Sequence, residues 1–158
     1  MTVTIDNDRA KDFDDAVGIS LTQSGYKLWV SIADVSYYVK LGSIVDNEAL
    51  QRATSIYLPE SVIPMLPESL SNWTCSLVEN EDRLTKTVEM DFNWEGMMLD
   101  FKIYNSVIRS RYRLTYTEVS HIIERKGKGS KRDQELIENL KIMNELYTQY
   151  TDALKSFS

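Results

Sequence analysis

At 158 residues the chain has the size of about one domain, and 42% hydrophobic with 27% charged residues describes a sequence able to fold around a core. No apolar run reaches the roughly eighteen residues of a membrane-spanning helix, and Met1-Thr2-Val3-Thr4-Ile5-Asp6 lacks the basic-then-apolar profile of a secretory signal. The single cysteine, Cys75, excludes an intrachain disulfide and a cysteine zinc cluster, and a reducing cytoplasm is the compartment expected. The net charge of −6 by itself speaks against a nucleic-acid partner, but it averages over unlike segments. Residues 1–101 carry 7 Lys/Arg against 17 Asp/Glu, residues 102–132 carry 9 against 2, and residues 133–158 carry 2 against 5. An acidic start beside a basic middle suits a metal site next to a polyanion track; a solvated basic loop is the plainer alternative.

In chain order, Ala16 to Ser20 and Tyr26 to Ala33 are rich in β-formers and separated by Thr22-Gln23-Ser24-Gly25, which predicts a hairpin. Ser43-Ile44-Val45-Asp46 is a helix start, with the helix running to about Ala53. Pro59, Pro64 and Pro67 make 57–70 mostly irregular and rule out a central strand there. Val88, Met90, Phe92 and Trp94 alternate with Glu89, Asp91 and Asn93; Glu95-Gly96 then turns the chain into a strand over about 97–111. Thr115-Tyr116-Thr117-Glu118 is a capping box for a short helix to about Arg125, broken by Gly127-Lys128-Gly129. His121 lies in this helix and is assigned a solvent or packing role. Ser130-Lys131-Arg132-Asp133 caps a last helix, the terminal element over 130–158. Its apolar positions Leu136, Leu140, Met143, Tyr147, Tyr150, Leu154 and Phe157 repeat every seven residues. The fold class expected is α+β (mixed α/β), antiparallel hairpins with packed helices.

Five aspartates, Asp6, Asp8, Asp12, Asp14 and Asp15, fall within residues 6–15. So many like charges repel unless a cation compensates them, and all-oxygen ligands suit Mg²⁺ or Mn²⁺. An acidic surface loop with Asp at turns and caps fits the composition equally. An EF-hand does not fit, because Lys11 stands where its glycine belongs and Val17 where its glutamate belongs. A transferase-type Asp-x-Asp pair, at Asp6-x-Asp8 or Asp12-x-Asp14, is a further alternative with a very common spacing.

Asp6-x5-Asp12-x-Asp14-Asp15 resembles the aspartate signature of the ribonuclease II / ribonuclease R (RNB) family of processive 3′→5′ exoribonucleases. Further blocks resemble the family in the same order: Ile32-Ala33-Asp34-Val35-Ser36, Thr54-Ser55-Ile56-Tyr57-Leu58-Pro59, Val62-Ile63-Pro64-Met65-Leu66-Pro67, Leu70-Ser71-Asn72, Cys75-Ser76-Leu77 and Ser106-Val107-Ile108-Arg109-Ser110. The resemblance implies that Asp6, Asp12, Asp14 and Asp15 hold magnesium, with Mn²⁺ a substitute, beside the scissile phosphate. Asp14 is then the most sensitive catalytic position, and nucleoside 5′-monophosphates leave the 3′ end of single-stranded RNA. Tyr57 matches an aromatic that stacks on a base near that end. Asp8 has no counterpart among the four and reads as a turn residue.

Arg109, Arg111 and Arg113 alternate and would share one strand face along a phosphate backbone; a plain basic edge strand is the other reading. Asn7 and Ser31 depart from residues common in the family, Gly and His respectively, without removing a carboxylate. Family catalytic domains are about twice this long, and their Thr-Ser-Pro-Ile-Arg-Arg-Tyr motif and their cold-shock and S1 barrels are not in this sequence. Residues 1–158 therefore read as the N-terminal part of one catalytic domain, expected to be inactive alone. A non-catalytic RNA-binding module that has kept the fold is the competing function. The seam over 136–157 should either fold back on the chain's own sheet or pair with a second copy; self-association is the expected outcome.

Overall fold

The computed structural model describes residues 1–124 and 132–155. Its strands are β1 (Thr2–Asp6), β2 (Asp15–Leu21), β3 (Gly25–Ala33), β4 (Ile56–Tyr57), β5 (Val62–Ile63), β6 (Asp82–Asn93), β7 (Met98–Arg109) and β8 (Tyr112–Thr115). The helices are α1 (Val35–Tyr38), α2 (Ile44–Arg52), α3 (Tyr116–Glu124) and α4 (Gln134–Lys155), with one π-helical turn over Leu70–Thr74. The fold class is the mixed sheet-and-helix one expected. Six strands form one sheet in the order β7-β6-β3-β2-β1-β8, antiparallel except for β8, which runs parallel to β1; β4 and β5 make a separate ribbon.

Both hairpins form as the alternation predicts. Gly25 opens β3 at φ 146, and a Cβ there would sit 2.1 Å from the Phe92 carbonyl oxygen, so a side chain would separate β3 from β6. Gly96 turns β6 into β7 at φ 75. Ser43 caps α2 by accepting the amide of Asp46, and Thr115 caps α3 by accepting that of Glu118. Three element ends differ from the sequence reading. The β6 ladder begins at Asp82, six residues before the alternation at Val88. The strand expected through residue 111 ends at Arg109. α4 begins at Gln134, with Asp133 as its cap, the Asp133 Oδ1 accepting the Leu136 amide at 2.8 Å. Ser130, the Gly127-Lys128-Gly129 breaker and Phe157 lie outside the described residues.

The connection from β7 to β8 shapes the whole molecule. These are opposite edges of the sheet, yet only Ser110 and Arg111 join them. Two residues reach roughly 10 Å between the flanking Cα atoms, so the sheet curls until its edges meet at that corner. Buried Ser110 bridges to Glu79 there, and Arg111 donates its backbone N–H to Thr2 at 2.8 Å.

The apolar seam of α4 folds back on the chain's own sheet through its first half. Leu136 and Leu140 are fully buried with Val3, Leu114 and Ile122, while Leu146 packs with Ile19, Tyr26 and Phe92. Each such burial contributes about 1.5–3 kcal/mol. Ile137 and Leu146, both off the heptad positions, are buried, whereas Tyr147, Tyr150 and Leu154 on the seam are exposed. The contact stripe is thus the broad one of a helix lying on a sheet, which differs from the narrow seam expected because a sheet is wider than a partner helix.

On the sheet's other face Glu89 gathers Lys27, Tyr104 and Trp29, its carboxylate accepting from all three at 2.7–3.1 Å. The Lys27 bond, followed by those from Tyr104 and Trp29, holds its pKa down to about 2 from an ordinary 4.5. A lowered carboxylate adds stability that is complete above about pH 4.5 and is lost as pH falls toward 2. Glu89→Gln should therefore lower stability at neutral pH and flatten the acid limb of melting temperature against pH. An unchanged acid limb would remove this cluster as its source.

Candidate metal centre and substrate cleft

Asp6 is the last residue of β1 and Asp15 the first of β2, so the loop between them, residues 7–14, starts and ends on neighbouring strands. Its shape is set by buried contacts. Phe13 enters a core with Ala16, Ala33, Cys75 and Leu77. Ser76, fully buried, receives the Phe13 N–H at 3.0 Å and donates its hydroxyl to the Lys11 carbonyl at 2.8 Å, while the Leu77 amide donates to the Phe13 carbonyl. The Ala33 amide takes the Asp14 carbonyl at 2.9 Å. Asp8 lies in a turn, as expected.

These constraints crowd the four carboxylates. Burial first, then the charges of Asp15 and Asp12, push the Asp6 carboxyl above its ordinary range against an opposing pull from Arg113. Burial, then Asp12, Asp15 and Asp6, do the same to Asp14. A raised carboxylate loses its contribution to stability as pH rises through the range between the ordinary and the raised value, so ionising Asp6 and Asp14 works against the fold. Asp6 Oδ2 is buried without a hydrogen-bond partner. Among the described residues no three His, Cys, Asp or Glu side chains already converge closely enough to ligate one ion together. The donor chemistry, hard oxygens in mutual repulsion with one orphaned buried oxygen, nonetheless fits a small divalent cation that keeps water and takes phosphate as further ligands. Cys75 is unsuited to nucleophilic work, since burial, then the charges of Asp14 and Asp34, raise its thiol.

Across the loop stand the β4–β5 ribbon and the π-helical turn, enclosing a cleft of about 840 Å³. Asp6, Asp12, Asp14, Tyr57, Arg9 and Lys11 all line it. Tyr57 is exposed in β4 and donates its hydroxyl to Asp12 Oδ2 at 2.8 Å, linking the ribbon to the aspartate loop. Three separate blocks of sequence, around Ser55–Ser61, Pro64 and Ser71-Asn72, thus meet the aspartate loop at one place. A second hollow, of about 370 Å³ between α4 and β6, is lined by Leu28, Met90, Phe92, Met143, Leu146 and Tyr150 among others and has no carboxylate, imidazole or cationic side chain in its lining.

The three arginines do not share a strand face. Arg109 ends β7 and pairs with Asp82 at 2.7 Å; Arg111 sits in the corner and pairs with Glu135 at 2.6 Å. Arg113 belongs to β8, where its Nη2 donates to the carbonyls of Asn7 and Asp8. The reason is the sharp corner at Ser110, which moves the chain from one sheet edge to the other and breaks the alternation. Ser76 and the loop contact of Arg113 were missed from sequence. A small polar residue between Cys75 and Leu77 was the one signal for the former. Asp34, in the block over residues 32–36, is structural: it accepts from Ser36 at 2.6 Å and pairs with Lys86 at 3.3 Å.

The RNB domain family matches residues 1–153. The ribonuclease R of Chlamydia trachomatis is 55% identical over 124 residues, covering 78% of this chain and 18% of that protein. The ribonuclease R of Aquifex aeolicus is 50% identical over 145 residues, covering 91% of this chain and 21% of that protein. Among solved structures, Mycoplasma genitalium RNase R in complex with double-stranded RNA superposes with a TM-score of 0.88 at 36% identity, over 94% of this chain and 26% of that one. The chain therefore spans about a fifth of the length of these curated relatives. With the signature, the fold and the order of its blocks in agreement, this chain belongs to the RNB family.

Proposed function

We propose that the chain carries the metal-binding part of a hydrolytic 3′→5′ exoribonuclease centre, releasing nucleoside 5′-monophosphates from single-stranded RNA. The observation that carries this reading is one cleft holding Asp6, Asp12 and Asp14 on one wall and Tyr57 on the other, with Asp6 Oδ2 buried and unpartnered. The ribonuclease R relatives, one of them solved with RNA, support it. Asp6, Asp12, Asp14 and Asp15 would hold Mg²⁺, with Mn²⁺ a substitute. When bound, such ions stabilise the attacking and leaving oxygens of an in-line displacement at phosphorus. The chain's own groups do the rest. The exposed Tyr57 ring offers a stacking face for a base, and the fixed loop keeps Asp14 beside the reacting phosphate. Arg9 and Lys11 offer positive charge to the RNA backbone on the same wall. Arg109 and Arg111 would reach RNA only by leaving their carboxylates.

Melting the chain with and without millimolar Mg²⁺ or Mn²⁺ tests the centre. The ion should raise the melting temperature by mass action on the folded state, and Asp14→Asn with Asp15→Asn should weaken that response. A melting curve indifferent to both ions would count against a centre formed before RNA binds. Tyr57 can be divided into ring and hydroxyl. In the full-length protein Tyr57→Ala should lengthen the final RNA product, because a base contact worth about 1–3 kcal/mol is lost. Tyr57→Phe, which keeps the ring, should leave that length unchanged. Equal end products for Ala and wild type would remove Tyr57 as the base contact.

Activity is proposed for the full-length protein, with the 158-residue chain inactive by itself and self-associating through the exposed end of α4. Tyr147, Tyr150 and Leu154 are the seam positions left for such pairing. Sedimentation equilibrium showing a clean monomer at high micromolar concentration would end that idea, and exonucleolytic turnover by the chain alone would end the first.

A further inference from the structure

We infer that Arg113 clamps the aspartate loop into the shape that receives the cation, a positioning residue and not a contact to RNA. The inference rests on the metal-centre reading above. Arg113 sits in β8 opposite Thr4 of β1, two residues before Asp6 and on the same strand face as it. From there its Nη2 donates to the carbonyl of Asn7 at 2.7 Å and to that of Asp8 at 2.9 Å. Its guanidinium also lies over the Phe13 ring, 5.6 Å from the centroid. One side chain thus touches both ends of the loop. The Asn7 carbonyl it grips also receives the Ala10 amide at 3.1 Å, so the clamp and the loop's first turn share an acceptor. The Arg113 backbone is itself fixed, its N–H donating to Glu79 Oε2 at 3.0 Å.

A planar fork suits this task. It can bond two carbonyls while stacking on an aromatic ring, whereas a lysine offers a point charge. The charge of Arg113 reaches Asp6, and this makes the inference sharp, because two effects of the residue have opposite signs at the metal. Through its field alone Arg113 repels a divalent cation, so its removal would tighten binding. Through the clamp its removal frees the loop, so the carboxylates must be ordered at the moment of binding and affinity falls. A phosphate contact predicts neither; it predicts weaker RNA binding with metal affinity unchanged.

The experiment compares wild type, Arg113→Gln and Arg113→Lys as the 158-residue chain. It uses Mn²⁺ titration followed by electron paramagnetic resonance, and amide hydrogen exchange without metal. Arg113→Gln should bind Mn²⁺ about tenfold more weakly, as loss of an outer-shell partner does, with Arg113→Lys between the two. The Ala10 and Phe13 amides should exchange faster in Arg113→Gln, while those of Leu136 and Leu140 in the core stay protected. Equal or tighter Mn²⁺ binding by Arg113→Gln overturns the inference, as does unchanged exchange at Ala10 and Phe13. Faster exchange at Leu136 and Leu140 as well would make the role a general structural one and overturns it too. If wild type itself binds no Mn²⁺, the metal reading falls, and loop exchange alone still decides the clamp.

Discussion

Replacing Asp14 by Asn in the full-length protein is expected to lower the release of mononucleotides from single-stranded RNA by about 10²–10⁴-fold, the range of a positioned group at a reacting centre. Asn keeps the volume and one oxygen of Asp14 but removes the charge. The loop geometry should survive, because the Asp14 contact to Ala33 is made by its backbone carbonyl at 2.9 Å. Melting temperature should hold or rise slightly in the absence of metal, since burial and three neighbouring carboxylates already disfavour the Asp14 charge. RNA affinity measured without turnover should stay close to wild type. Normal-rate degradation by Asp14→Asn would sink the catalytic assignment. RNA binding without any degradation by the unsubstituted full-length protein is the result that would favour the competing reading, a non-catalytic RNA-binding module that has kept the fold.

Phe13→Ala should have the largest effect on stability, about 3–5 kcal/mol, the cost of emptying an aromatic site in a core. For a domain of this size that lowers the melting temperature by roughly 10 °C. The ring packs among Ala16 and Ala33 of the sheet and Cys75 and Leu77 outside it, small or mid-sized neighbours that fill little of the space it would leave. The same ring lies under the Arg113 guanidinium, so its loss also loosens the loop that presents Asp12 and Asp14. The variant should therefore lose the melting response to Mg²⁺ along with its stability, whereas Phe13→Leu should keep most of both. Urea denaturation in parallel gives the free energy directly. A Phe13→Ala midpoint indistinguishable from wild type would show that the loop is held from outside this core.

Local signals were legible wherever structure is decided by neighbours in the chain. The alternation over Tyr26–Ala33 and Val88–Asn93, the caps at Ser43 and Thr115 and the turn at Gly96 are settled within a few residues, and they stand as read. Where distant segments decide, the reading failed. β1 was not anticipated as a strand, although Val3 and Ile5 alternate with threonine, because five residues next to an acidic run carry little pattern. β8 was not anticipated, since it lies beyond the strand expected to end at about residue 111, and the corner at Ser110 depends on Glu79 and Thr2, far off in sequence. The seam of α4 followed its heptad spacing on paper, but the sheet it met was wide enough to bury Ile137 and Leu146 as well.

For the candidate site, the sequence by itself determined the carboxylates, their spacing and the family, because aspartates crowded into ten residues are a local chemical fact and the ordered blocks are a pattern along the chain. Tertiary structure alone decided what surrounds them. It set Tyr57 against Asp12 from 45 residues away and Ser76 under Lys11 and Phe13 from more than 60. It also set Arg113 against the carbonyls of Asn7 and Asp8, in a loop more than 100 residues earlier. Such contacts leave no period in a sequence. They arise because a sheet that must join its two edges through two residues curls, and curling brings β8 beside β1 and its arginine over the loop that β1 begins.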